Sequence, residues 1–547
     1  MDKQVTTLRE YGADAATSVD RRMAVTLALV GFATTAVCGL LCDNTYYHLD
    51  DVTHYLYAKW AWRWPAYLLD DWGRPGFTVA YALPATLGWT ACRIFSALLT
   101  ALAAWFAYLT ARKIDLPRAW LVIPLCYLQP LLFLLSQTTL TETPLAFYLS
   151  LAAWLAVTRR WAMSSFVLAA AFVTRHEAII FLPIWLYFAW RDKARWRTLL
   201  PLAWAFVIVN GLAMAFGMSS LIARLLHPTP TTQYGHGGWL TYLMKSLHAF
   251  GPVVTILAIV GLRGFLRNPA AKLVAASAGI YFLAETIVFR YGLFASGGYS
   301  RFLVAISPLV AILAVNGVNR LLSPDLSVWR WASVGAAAAM ALLWIAMERQ
   351  LVIQHGVILD ISETYKAVWV IRITTIALAV IALVAFGLGA SDSGRRAGRR
   401  LTPVALAVLL GMTLYAFYRP LPKPADAKLI DDAISQLGRL GYADRTVVTA
   451  HPYVELRVGG VIPYDHPDTR RRIEQAEIGS LIVWESRLTG SEDHKLGVGE
   501  FLGSPAFREV LRTAPLPYQQ APYLYVFEKV ASWGPRQVRV ASPASQT

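Results

Sequence analysis

Two adjacent carboxylates, Asp50 and Asp51, stand in the stretch YYHLDDVTHYLY (46–57), together with His48, His54 and Tyr55. A carboxylate of ordinary pKa, near ~4, is ionised at neutral pH and can take a proton from a bound hydroxyl or amine. Paired acids beside a histidine could also hold a divalent metal. The plainer reading is a helix cap or a solvated loop pair. Position argues for more. Tyr46, Tyr47, Tyr57, Trp60, Trp62 and Trp64 crowd the same stretch, as in a helix lying on a membrane interface. An acid pair at that depth is costly unless it is used or paired.

Other ionisable residues recur in the same kind of setting. In GRPGFTVAYALPATLG (73–88), Arg74 precedes a proline and a second interfacial helix. It either pairs with Asp70 or Asp71 or binds a phosphate. Glu142 opens LTETPLAFYLSLAAWLA (140–156), where Thr141 or Thr143 can cap a helix. An acid there suits the helix dipole, or it supplies a second carboxylate facing the first loop. FVTRHEAIIFLP (172–183) sets Arg175, His176 and Glu177 between two apolar runs, either as a site or as an internal Arg175–Glu177 pair. GGYSRFLVAISPL (297–309) puts Arg301 at the head of a helix, and arginine suits phosphate oxygens. His227, His236 and His248 match no metal spacing and read as loop histidines of 218–248.

The elements that position these groups are membrane helices. Of 547 residues, 56% are hydrophobic and only 15% charged, with a mean hydropathy of +0.46. Soluble domains carry about 25% charged residues. Many apolar runs reach the ~17–25 residues that cross a bilayer, and the short alternating segments of a β-barrel are missing. Thirteen spans are expected, near 23–42, 91–111, 119–136, 143–158, 162–174, 178–190, 199–217, 249–266, 271–289, 302–319, 331–347, 369–389 and 402–418. The net charge of +16 reflects arginine and lysine clusters in alternate short loops, so it signals cytoplasmic loops and not nucleic acid. The N-terminus is then cytoplasmic, with no cleaved signal peptide. The chemical candidates gather on the opposite face.

Residues 1–419 form this membrane part. Residues 420–530 read as a small α/β domain on the extracytoplasmic side, and 531–547 as a loose tail. AKLIDDAISQLGRLGY has a helical period, whereas RTVVTA, LIVWES and YLYVFEK read as strands. SPAFREVLRTA (504–514) carries a serine cap and a proline at a first helical position, which predicts a helix. Cys38, Cys42, Cys92 and Cys126 lie in or beside apolar runs and are expected as buried small hydrophobes, not disulfides or zinc ligands.

The chain resembles the GT-C integral membrane glycosyltransferases. It is most similar to the branch of dolichyl-phosphate-mannose–protein mannosyltransferases, their bacterial relatives and the lipid A aminoarabinose transferase. LDD (49–51), GRPG (73–76), TETPLAFYL (141–149), TRHEAIIFLP (174–183) and SRFLVAISP (300–308) carry the resemblance, in that order. Relatives often have DE for Asp50–Asp51 and HPP or RPP for GRPG, and no WWD motif is present, which argues against en-bloc oligosaccharide transfer.

The resemblance implies a polytopic all-α membrane domain of GT-C type and a polyprenyl-phosphate sugar donor in the outer leaflet. The acceptor is a glycan, lipid or protein, and transfer is a single inverting displacement. It implies Asp50 or Asp51 as base, and Arg74, Glu142, Arg175, His176, Glu177 and Arg301 around donor phosphate or substrate. His48, His54 and Tyr55 are accessory. No metal or other cofactor is implied. The one compact tail favours a bacterial plasma membrane. A transporter or flippase of a lipid-linked or sugar substrate is the rival of another class. A ligase or polymerase of lipid-linked glycans is a second.

Overall fold

The structure is a computed structural model. It describes residues 2–42, 44–218, 222, 236–265, 268, 270–293, 296–321, 335, 337–341, 361–388, 411, 414, 418–490, 495–516 and 519–534. The chain divides into two compact units, Met1–Pro422 and Lys423–Thr547.

The first unit is helical. After α1 (Asp2–Leu40) come two helices in one loop, α2 (Leu49–Trp60) and α3 (Pro75–Thr86); α3 is not amphipathic, since Val79 and Leu83 on its exposed face are as apolar as Phe77 and Tyr81 on its buried one. Pro75 opens α3, where its fixed φ and missing N–H cost nothing. The long α4 (Trp89–Lys113) follows. The expected single span at 119–136 is instead a 3-10 turn (Ala119–Leu121) and two short helices, α5 (Val122–Tyr127) and α6 (Pro130–Leu135). Pro130 explains the break, because it forces Gln129 out of helical backbone to φ −87°, ψ 117°.

Then come α7 (Glu142–Val157), α8 (Trp161–Thr174), α9 (Leu182–Arg191) and α10 (Trp204–Ala215). The run expected at 249–266 is preceded by α11 (Thr241–Ala249), which meets α12 (Pro252–Phe265) at a 118° bend. Gly251, at φ +78°, makes that corner. His248 therefore sits in a helix and is buried, not in a loop. The unit continues with α13 (Ala271–Arg290), α14 (Ser307–Leu321) and α15 (Ile361–Leu388). Helices α12 and α14 touch backbone to backbone. A Cβ on Gly317 would fall 2.0 Å from the Leu257 carbonyl, and one on Gly261 1.9 Å from that of Leu313.

Among the described residues, five helices are long and apolar enough to cross a membrane, and the bent pair makes a sixth. Helices α7 and α8 are apolar but shorter. Most residues of the expected spans 331–347 and 402–418 lie outside the described residues. Outward-facing Leu29, Val30, Phe166, Val207, Met214 and Phe216 are exposed, as lipid-facing side chains are. The chain is an integral membrane protein. Its four cysteines are buried and free.

The second unit is a four-stranded mixed sheet with helical cover. Helix α16 (Ala425–Arg439) buries Ala427, Ile430, Ala433 and Leu437 on one face. After it come β1 (Val447–Thr449), α17 (Pro452–Val458), α18 (Thr469–Gln475), β2 (Leu481–Glu485), α19 (Gly499–Leu502), β3 (Phe507–Arg512) and β4 (Leu524–Lys529). The sheet order is β1-β2-β4-β3, with β1 parallel to β2 and the other pairs antiparallel. Ile482, Trp484, Phe501, Phe507, Tyr525 and Phe527 fill its core. The helix expected at 504–514 is β3. Phe507 anchors it in the core, Arg508 pairs across the strands with Glu528, and β4 offers an open edge. Those pairings outweigh the local Ser-Pro signal.

Candidate active site

The functional side chains meet because helix ends converge. Helix α1 ends there, and α4, α7 and α14 begin there or one turn earlier. The 3-10 turn His176–Phe181 follows α8, and another, Ser300–Ile306, leads into α14.

Asp50 and Asp51 lie in the first turn of α2, behind His48 as N-cap. Being adjacent on a helix, they point about 100° apart and enter different surroundings. Asp51 is fully buried. The Thr139 N–H donates to its Oδ1 at 2.6 Å, the Thr139 hydroxyl joins it there, and the Tyr47 N–H donates to Oδ2 at 3.3 Å. Burial raises its pKa against the pull of Arg93 and these donors. Arg93, also buried, stacks 4.0 Å over Trp89 and donates to the carbonyls of Cys42 and Thr45.

Asp50 is the more open of the two, its side chain 29% exposed. Arg301 Nη2 donates to its Oδ2 at 2.6 Å, and His48 Nδ1 lies 3.1 Å from the same oxygen. Partial burial works against ionisation, but His48 and Arg301 hold the carboxyl well below the usual range.

From Arg301 a chain of charges runs inward. Its Nε is 3.4 Å from Glu142 Oε1, which accepts Arg175 Nη1 at 2.8 Å. Arg175 Nη2 then reaches Glu177 Oε1 at 3.2 Å. Phe302 lies under both guanidinium groups, 4.6 Å from Arg175 and 5.6 Å from Arg301. Thr141 is the N-cap residue of α7, yet its hydroxyl accepts from Arg175 at 3.1 Å and caps nothing; Thr143 turns to the Leu135 carbonyl. Burial opposes ionisation of Glu177, but Arg175 and Arg74 depress its pKa. Among the described residues, five buried polar atoms of this charge chain have no hydrogen-bond partner: Arg301 Nε and Nη1, Arg175 Nε, Glu142 Oε2 and Glu177 Oε2. Such groups are rare in a finished core and point to something that binds.

Arg74 joins from α3. Its Nη1 stands 2.7 and 2.9 Å from the two ring nitrogens of His176 and 3.4 Å from the Asp71 carbonyl, whereas His176 Nε2 pairs with Asp71 Oδ1 at 2.8 Å. The Asp70 carboxylate accepts the Gly73 N–H at 2.6 Å. Burial, then Arg74, lowers the His176 pKa, so the ring is neutral at pH 7. Arg74 has φ +64°, a strained backbone of the kind kept at working sites.

Not every candidate enters this cluster. His54 is packed between Trp72 and Phe77, and Tyr55 stacks on Trp89. Both serve the loop's own core. Arg93, Lys245 and Glu285 are not among the residues that the sequence motifs single out. Lys245 and Glu285 are buried in α11 and α13; Lys245 donates to the Gly298 carbonyl, and Tyr242 donates to Glu285 at 3.2 Å. Their signal was an ionisable residue standing alone in an apolar run. Among the described residues, no group of three or more His, Cys, Asp or Glu side chains could hold a metal ion.

The same fold is found in ArnT from Cupriavidus metallidurans. Its crystal structure bound to undecaprenyl phosphate superposes with a TM-score of 0.55 at 14% identity, covering 95% of this chain and 99% of that one. The apo state gives 0.54 at 14%, covering 94% and 98%. This is the GT-C fold expected from the sequence motifs. No family model matches the chain, and no curated protein matches it.

Proposed function

We propose that the protein is an integral membrane glycosyltransferase. It moves a monosaccharide from a polyprenyl-phosphate donor to an acceptor hydroxyl or amine on the extracytoplasmic face. The observation that carries this reading is the Asp50–Arg301–Glu142–Arg175 chain, with an ionised carboxylate at its open end and an uncommitted arginine nitrogen beside it. The shared fold of ArnT, crystallised with undecaprenyl phosphate, supports it.

In the reaction the acceptor oxygen or nitrogen attacks the anomeric carbon as the bond to the phosphate oxygen breaks, through an oxocarbenium-like transition state. The bonding pair leaves with the polyprenyl phosphate, and Asp50 takes the acceptor proton. A carboxylate with so low a pKa is a weak base. Transfer to it therefore runs late, once bonding to carbon has made the acceptor strongly acidic. Arg301, Arg175 and Arg74 balance the charge growing on the phosphate. Attack and departure on opposite faces invert the anomeric carbon. Asp51 is the strut that ties α2 to Thr139, and Glu142 fixes the two arginines.

A transporter would share the bend between α11 and α12 and the buried Lys245 and Glu285. The chain from Asp50 to Glu177, however, lies at one set of helix ends. The test uses purified protein in nanodiscs with a panel of radiolabelled polyprenyl-phosphate monosaccharides. Release of free polyprenyl phosphate is expected. No turnover and no donor binding across the panel would favour transport, to be followed as flux in liposomes.

A further inference from the structure

A polar cavity lies at the opposite ends of α4 and α7. It measures 440 Å³ and is lined by Lys113 at the end of α4, Arg159 just past α7, and Arg191 and Asp192 at the end of α9, with Trp161 and Phe188 among its walls. Helix α7 has 16 residues, which puts this cavity about 24 Å from Glu142 along the helix. It is not part of the site described above.

Cations at helix C-termini suit the dipole, and that alone would explain Lys113 and Arg191. Two observations go further. Trp161 is 5% exposed and lines the cavity, yet its Nε1–H has no hydrogen-bond partner among the described residues. An indole N–H can only donate, so it calls for an acceptor. Arg159 occupies the left-handed position that closes α7, at φ +59°, with its N–H on Ala156 and that of Arg160 on Leu155. Glycine is the usual residue there; an arginine is held at a conformational cost. The lining thus offers three cationic side chains and a stranded donor against one carboxylate.

We propose that this cavity binds a phosphate-bearing anion, either the head group of an anionic membrane lipid or a free phosphate. Phosphate oxygens accept several N–H donors at once, and the volume suits a head group. Basic pockets between membrane helices bind anionic head groups in this way. The proposal stands independently of the transferase reading.

The experiment titrates delipidated full-length protein with phosphatidylglycerol and with phosphatidylcholine, whose phosphate is neutralised by its choline, using native mass spectrometry. Wild type is expected to prefer phosphatidylglycerol at least tenfold. Arg159→Ala/Arg191→Ala should lose at least tenfold in that affinity. Arg195→Ala/Arg197→Ala, which removes equal charge from exposed positions nearby, should stay within twofold. Trp161→Phe keeps the volume and removes only the N–H; it should lose about threefold and keeps the test open should the double variant fail to fold. Millimolar inorganic phosphate displacing the lipid would assign a free anion, and its failure to do so the head group. Wild type without preference, or both double variants weakened equally, would overturn the proposal.

Discussion

Asp50 and Asp51 show how one peptide bond separates two roles. Asp51 has no access to a substrate and three donors to satisfy. Asp51→Asn turns one of its oxygens into a donor and strands a buried N–H, a cost of about 1–3 kcal/mol. Asp51→Ala leaves all three donors unmatched and should cost about 3–5 kcal/mol. Thermal unfolding in detergent checks both; an unchanged melting temperature for Asp51→Ala would contradict the strut. Much of the cluster was legible in the sequence, because charges amid aromatics and apolar runs are expensive and so conspicuous. Which aspartate faces outward was not, since side-chain direction depends on where α2 begins and what Thr139 offers it. Arg93 and Glu285 were hidden for the opposite reason: one charge in twenty apolar residues barely alters a hydropathy window.

Helix packing sets the geometry of Arg74. A Cβ on Gly76 would lie 2.2 Å from Thr174 Oγ1 and 2.7 Å from the Ala170 carbonyl, so α3 rests directly on α8. The second glycine of GRPG is therefore a contact surface, which composition alone does not reveal. Gly76→Ala must push the helices apart, at about 1–3 kcal/mol, and shift Arg74 from His176. The expected outcome is a raised KM for donor with a protein that still inserts; wild-type kinetics would contradict it. At this scale the two helices α2 and α3 were readable from aromatic density and proline position. The broken segment at 119–136 was not, because hydropathy counts apolar residues and ignores the kinks that Pro130 imposes. Strand β3 was misread because its partner β4 lies outside any local window.

Across the molecule, the fold followed from the order of motifs, and the orientation rests on charge. A cysteine placed at Arg195 should resist a membrane-impermeant thiol reagent in right-side-out vesicles, whereas one at His466 should react. The four native cysteines are buried and should add little background. The reverse pattern would invert the topology. The second unit carries its own pH sensitivity. Burial, then Arg487, lowers the pKa of His451 from 6.5 to about 3. Between those values the unfolded chain binds the proton and the folded one does not, so stability falls as pH falls. From pH 7 to 5 this amounts to about 2 kcal/mol. Glu455 and Glu485, raised by burial, act in the opposite sense just above pH 4.5. The protection of β2 amides in the full-length protein, measured against the intrinsic exchange rate at each pH, should therefore fall from pH 7 to pH 5 in wild type and less so in His451→Gln; equal slopes would contradict the assignment. Asp50 as the base is tested by sugar transfer in Asp50→Asn, measured beside the variant's binding of undecaprenyl phosphate. Transfer should fall at least a thousandfold, about 4 kcal/mol, with lipid-phosphate binding retained. Transfer at the wild-type rate would contradict it.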